Sequence, residues 1–322
     1  MHVLNLLAAA AVSMVLAAPA LAAQGAGNFP ERPIRLVIGS ASGSGPDIVA
    51  RLLSERLYKS WGQRVVVDTR PGKAGAISAD LVSRAEPDGY TWMILTSQLF
   101  IAEKVYKDLT FGLEKDFASV ALVGTVPFVL VVNPKLPAKT VPELIQLSKK
   151  SKLRYGSAGP GGGEHLCMHY FLTASGAQAE HVAYRGIAQS LLETTAGEIH
   201  MTFAVLPAML PLAKAGRVRP IGVSTQKRAP LFPDIPSISE SVPSFWTFGW
   251  YSVVAPIKTP PAILEKVSQE VVKAIKEPQF GERLKILGIE ITAGTRAELD
   301  AFRKSESKRM GDIVESANLQ IQ

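Results

Sequence analysis

Two stretches of this sequence carry residue types and spacings suited to holding an anion. The first is Gly39-Ser40-Ala41-Ser42-Gly43-Ser44-Gly45, ahead of Pro46 and Asp47. The second is Gly156-Ser157-Ala158-Gly159-Pro160-Gly161-Gly162-Gly163, ahead of Glu164 and His165. Each follows a short strand-like run and opens a segment with helical apolar spacing. A helix start exposes N–H groups that lack a partner within the helix, and the aligned peptide dipoles place partial positive charge there. An anion is therefore held without any basic side chain. Glycine permits close backbone approach, and the hydroxyls of Ser40, Ser42 and Ser44 add donors. A carboxylate fits this chemistry. One such loop alone is more often a plain strand-to-helix turn; a matched pair in one chain points to a clamp. Asp47 falls in the first turn of its helix, where a carboxylate complements the dipole with or without a ligand.

Other chemistries find less support. Gly43-x-Gly45 with Asp68 at the end of the next strand imitates a dinucleotide-binding fingerprint, but Ile48 stands where a third Gly or Ala is needed for close helix–sheet packing. His165 and His169 are four apart on one predicted helix and could share a metal ion, yet no further ligands appear at characteristic spacing. No metal and no cofactor is expected. There is no Gly-x-Ser-x-Gly elbow, the acidic residues do not pair, and the single cysteine, Cys167, has no electropositive setting. The expectation is binding without enzymatic activity, with an exported enzyme acting on a small organic acid as the alternative.

The elements that position these loops alternate in kind. Residues 34–38, 65–67 and 90–95 read as strands, with helices after Pro46 and over 76–84. A second run follows: strand 126–132, a helix opened by the Thr140-x-x-Glu143 capping box, strands near 153–155, 181–184, 201–205 and 220–224, and helices over 164–174 and 188–195. Residues 246–255 return as a strand, and helices begin at Pro260-Pro261 and at Thr295. This predicts an α/β protein of two lobes, each a mostly parallel sheet flanked by helices, with two crossover strands forming a hinge. Residues 23–124 and 256–322 are assigned to lobe 1 and 125–255 to lobe 2. Ligands of open α/β sheets bind at the carboxyl ends of the strands, so the two loops are expected to face one another across an interlobe cleft.

Residues 1–22 contain no Lys, Arg, Asp or Glu and end in Pro19-Ala20-Leu21-Ala22 after an apolar run. That is the layout of a cleaved signal peptide, so the predicted location is the periplasm and the processed chain is not membrane-spanning. Cys167 lies far from the cleavage region and is expected to be buried and unpaired. The net charge of +7 is dispersed, without like-charge runs or interleaved aromatics, which argues against nucleic acid and agrees with an anionic small ligand. A monomer is expected.

Short motifs along nearly the whole processed chain resemble the Bug family of tripartite tricarboxylate transporter receptors. They are Phe29-Pro30-x-Arg32-Pro33-Ile34-Arg35-Leu36-Val37, Asp47-Ile48-Val49-Ala50-Arg51, Asp68-x-Arg70-Pro71-Gly72, Ala85-x-Pro87-Asp88-Gly89-Tyr90-Thr91, Val131-Val132-Asn133-Pro134, Tyr155-Gly156-Ser157-Ala158-Gly159 and Pro233-x-Ile235-Pro236. The resemblance implies a type II periplasmic-binding-protein fold, capture of a small carboxylate, and membrane transporter subunits as partners; a membrane sensor is the alternative partner. It also implies that backbone amides of two loops hold the ligand carboxylate. Those loops map onto Ser40, Ala41, Ser42, Gly43, Ser44 and Gly45, and onto Ser157, Gly159, Gly161, Gly162 and Gly163, with His165 beside them. Asp47, Ser97, Gln98, Tyr184, Arg185, Gly186 and Ala204 are the remaining cleft candidates. Two departures stand out: Gly162 replaces a common Ser or Thr, and Ala204 replaces a frequent Asp. The second weakens the case for an amine-bearing ligand.

Overall fold

The computed structural model describes residues 27–316; the predicted signal peptide, residues 1–22, lies outside the described residues. The chain begins with β1 (Ile34–Ile38), α1 (Gly45–Trp61), β2 (Val65–Thr69), α2 (Ala76–Ser83), β3 (Thr91–Thr96), α3 (Ser97–Val105), the short α4 (Leu113–Asp116) and β4 (Phe117–Val126). A second group follows: β5 (Val129–Val132), α5 (Val141–Ser148), β6 (Arg154–Ser157), α6 (Gly163–Ser175), β7 (Glu180–Ala183), α7 (Ile187–Ala196), β8 (Met201–Ala204), α8 (Leu206–Lys214) and β9 (Arg219–Val223). The chain then returns through β10 (Gly249–Pro256), α9 (Pro261–Lys276), α10 (Pro278–Ile286), β11 (Glu290–Gly294) and α11 (Arg296–Ser316).

Two mixed sheets result. The first has the order β11-β4-β10-β3-β1-β2 and the second β7-β6-β8-β5-β9. β1, β2 and β3 run parallel, as do β6, β7 and β8, and the antiparallel neighbours are those made by β5, β10 and β11. Strand alternation sets the layers, because successive side chains face opposite sides. Ile34, Leu36, Ile38, Trp92 and Ile94 pack with Val49, Leu53, Leu57, Leu264, Val267 and Val271 of α1 and α9. On the other face Val37, Met93 and Leu95 pack with α2, α3 and α11 through Ala79, Val82, Leu99, Phe100, Met310 and Ile313. The second lobe repeats this: Leu130, Val132 and Phe203 meet Leu144, Met168 and Phe171, while Val129, Val131 and Ala204 meet Leu191, Leu206 and Met209.

The predicted strand 126–132 is broken at Pro127, which has no N–H to give a ladder. β4 ends in the first sheet at Val126, and β5 starts in the second at Val129. Residues 249–255, assigned from sequence to lobe 2, belong to the first sheet: β10 pairs with β4 along its length and with β3 over residues 251–254. The two crossings are joined by Ser224, which is fully buried. Its Oγ accepts from the Phe128 amide (3.0 Å) and donates to the Thr247 carbonyl (2.7 Å), and its own amide donates to the Phe128 carbonyl (2.8 Å). The chain thus passes between lobes twice at one hydrogen-bonded point, the geometry of a hinge.

Candidate functional site

Helices α1 and α3 begin where the parallel strands β1 and β3 end, and α6, α7 and α8 begin where β6, β7 and β8 end. Their N-cap residues are Ser44, Thr96, Gly162, Gly186 and Val205, and none makes a side-chain hydrogen bond to its helix. Elsewhere α2, α9 and α10 lack a side-chain cap as well, whereas α5 and the turn at 238–240 have one. Thr140 accepts from the Glu143 amide, and Ser237 and Glu240 form a reciprocal capping box. The N-cap side chains thus leave the first-turn N–H groups free at the strand ends of both lobes, although the Glu164 amide of α6 is met by its own carboxylate.

The lobes approach closely there. A Cβ added to Gly163, the first residue of α6, would lie 3.1 Å from the Phe128 ring and 3.2 Å from Nε2 of Gln98, which stands on α3 in the other lobe. Ser97, Gln98, Phe128 and Gly163 line one pocket at this junction. From β10, the Tyr251 hydroxyl faces the start of α1, 2.6 Å from the position of a Cβ on Gly45.

In the first loop Gly43 has φ +81°, which a side chain strongly disfavours, and its amide donates to Asp47 Oδ2 at 2.9 Å. Arg51 Nε donates to the same oxygen at 2.9 Å. Burial raises the Asp47 pKa, but the Arg51 guanidinium and the Gly43 amide outweigh it and hold the carboxyl below its usual range. Asp47 thus ties the loop to its helix. Ser40, Ala41 and Ser42 complete the loop, the last two exposed, and the Ser44 Oγ is buried with no partner.

The second loop is shaped by side chains beneath it. Ser157, fully buried, accepts from the Gly159 amide at 3.1 Å and lies 2.8 Å from His181 Nε2. The Gly161 amide donates to His165 Nδ1 at 3.4 Å. Gly159 (φ +111°) and Gly161 (φ +77°) turn the chain over these groups. His165, His169, His181 and Tyr155 form one ring cluster, with centroids 4.4 Å apart for His165–His181 and 4.9 Å for Tyr155–His181. Among the described residues no group of three or more His, Cys, Asp or Glu is arranged to hold a metal ion.

Burial, then the charges of His181 and His169, push the His165 pKa down to about 4; burial lowers those of His169 and His181 as well. The unfolded chain binds these protons near the ordinary value of 6.5, and the native cluster refuses them. Stability from this cluster is fully present above that value and is lost as pH falls toward 4. The urea midpoint is expected to drop between about pH 7 and 5, and to drop less in His165→Gln, as parallel urea titrations at several pH values will read.

Of the remaining predicted residues, the Tyr184 amide donates to the Ser157 carbonyl (3.0 Å), and its carbonyl lies 3.9 Å from a Cβ position on Gly159. Arg185 is exposed beside Gly186, the N-cap of α7. Ala204 ends β8 next to Val205, the N-cap of α8, and is fully buried in the apolar cluster with Val129 and Leu191. Tyr251, Phe128 and His181 were missed. A tyrosine in an otherwise apolar strand was the available signal for the first. His181 has none, because its neighbour Tyr155 is reached only through the parallel pairing of β6 and β7.

The family model described as the tripartite tricarboxylate transporter family receptor matches residues 49–319. The chain belongs to this family. A UPF0065 protein of Bordetella bronchiseptica is 33% identical over 311 residues, covering 96% of this chain and 92% of that one. Among solved structures, Rpa4515 of R. palustris with adipate superposes with TM-score 0.82 at 32% identity, over 91% of this chain and 99% of that one. MatC from Rhodopseudomonas palustris with bound malate gives 0.79 at 25% identity, over 89% and 100%. Among the described residues of this receptor no helix is long and apolar enough to cross a membrane.

Proposed function

We propose that this receptor works in the periplasm, capturing a small carboxylate between its two glycine-rich loops and presenting it to the membrane subunits of a transporter, without enzymatic activity. The observation that carries the reading is the set of helix N-termini, from both lobes, that lack side-chain caps at the strand ends. Such termini favour an anion through backbone N–H groups and dipoles. The hinge at Ser224 supports closure of one lobe on the other, and the relatives solved with adipate and malate support a carboxylate as cargo.

The test is a thermal and chemical denaturation panel on the chain from residue 23 onward, with mono- and dicarboxylates, aromatic acids and amino acids. A cognate ligand at a hundredfold excess over its Kd is expected to stabilise the protein by about 2.7 kcal/mol. No response across the panel overturns carboxylate capture. Recovery of a ligand in chemically altered form, read by mass spectrometry, overturns the passive role.

A further inference from the structure

The two loops are not electrostatically alike. Each helix carries an acid in its first turn, Asp47 on α1 and Glu164 on α6. Asp47 is neutralised by Arg51 at 2.9 Å and by the Gly43 amide. Glu164 is half-buried at the lobe junction, and its own backbone amide is the one hydrogen-bond donor it has among the described residues. Its Oε2 stands 3.7 Å from the Cβ position of Gly162, the N-cap of α6, so it cancels the positive end of that helix from within the cleft. From the opposite lobe the Tyr251 hydroxyl stands at the start of α1, and the Glu164 charge reaches it: burial and Glu164 together raise the phenol's pKa.

An ionised carboxylate shielded from water without a cation is costly: burial raises the Glu164 pKa, and pairing with a cation would relieve that cost. No Lys or Arg among the described residues pairs with Glu164, whereas its counterpart Asp47 has Arg51. The missing cation is one the ligand can bring. Resting on the carboxylate reading above, we infer that Glu164 and Tyr251 select a ligand that carries an ammonium group next to its carboxylate. The ligand carboxylate takes the α1 and α3 side, where the first-turn acid is already neutralised. The ammonium takes the α6 side, donating to Glu164 and to the Tyr251 oxygen. The buried Ala204, which as a replacement for Asp spoke against an amine, does not bear on this: the acid that receives the amine stands on α6 and not at the end of β8.

Three series of probes share a carbon skeleton and differ only at C2, which bears hydrogen, hydroxyl or ammonium: succinate, malate and aspartate; glutarate, 2-hydroxyglutarate and glutamate; propionate, lactate and alanine. Titration calorimetry on the chain from residue 23 onward is expected to show, in at least one series, the ammonium member binding at least about tenfold more tightly than its parent acid. Glu164→Gln should abolish that preference while leaving the parent acid's affinity equal or improved, and Tyr251→Phe should reduce it in part. Unchanged circular dichroism and melting temperature will show that the variants fold. If carboxylates bind but none prefers the ammonium member, or the preference survives Glu164→Gln, the inference falls and the carboxylate reading stands. If no carboxylate binds at all, the reading beneath it falls as well.

Discussion

Gly163→Val is expected to weaken the cognate carboxylate by at least about a hundredfold, equivalent to about 2.7 kcal/mol, with the fold intact. Gly163 is buried and opens α6, and its contacts come from both sides of the cleft: the Phe128 ring at the crossing and the Gln98 amide on α3, at 3.1 and 3.2 Å from a Cβ. Phe128 is 8% exposed and its backbone is stitched to Ser224, so it cannot yield. Gln98 can move only away from the second lobe. Valine's two further methyls must therefore prop the lobes apart where the helix N-termini of α3 and α6 converge, and a hydrogen bond opened by even an ångström loses most of its strength. Gly112→Ala is the control. It sits at another helix start, that of α4 beside the beginning of β4, its φ of −127° suits any residue, and the nearest atom to its Cβ position is Lys115 Cβ at an ordinary 3.5 Å. Its affinity should match the parent protein. Calorimetric Kd values for the two variants decide the matter: equal affinities would mean that the close approach at Gly163 plays no part in binding.

How far the sequence discloses this site depends on which interactions are local. The loops, their helices, the cap at Thr140 and the capping box at Thr295 are set by residues within a few positions of each other, so they read directly from the chain. Four helices did not, α3, α4, α8 and α10, and two of them show why. In α3 the run Leu99-Phe100-Ile101-Ala102 is apolar on every side, because the helix is covered by the sheet, by α11 and by the neighbouring lobe, and a covered helix shows no period. In α8 Pro207 and Pro211 read as loop, yet Pro207 lies in the first turn, where its missing N–H costs nothing. The site was half legible for the same reason. Backbone amides at helix starts follow from the loops themselves, but Tyr251 and Phe128 reach the cleft only because β10 inserts between β3 and β4 and because the chain crosses at Pro127. Asp47 shows the converse: the sequence offered it as a ligand contact and as a dipole partner, and its bonds to Gly43 and Arg51 favour the second.

Arg303→Met is expected to cost about 3 kcal/mol of stability and to leave ligand affinity unchanged, because each acceptor left unpaired in the interior costs about 1–3 kcal/mol. Arg303, on α11, is 5% exposed. Its Nη1 donates to the Phe117 carbonyl and to Ser119 Oγ, both at 3.0 Å, and its Nη2 donates to the Leu113 carbonyl. Burial lowers its pKa, only partly opposed by the charges of Asp300, Glu114 and Glu103, so the charge is tolerated here for the carbonyls it satisfies. Methionine keeps the apolar stem against its neighbours and removes all three donated bonds. Relief of the guanidinium's own desolvation offsets part of the loss, which is why the expected cost is that of about two unpaired acceptors and not three. Ser119→Ala removes one acceptor together with its bond and should cost under about 1 kcal/mol. Urea unfolding will read both as a lowered midpoint at constant slope. A midpoint for Arg303→Met equal to the parent's would mean that water replaces the guanidinium. Affinity should hold because Phe117 begins β4, and the cleft lies at the other end of that strand, where Val126 leads into the crossing. α11 is thereby fixed to the first sheet by a buried cation where β4 begins, at the opposite end of that strand from the crossing to the second lobe.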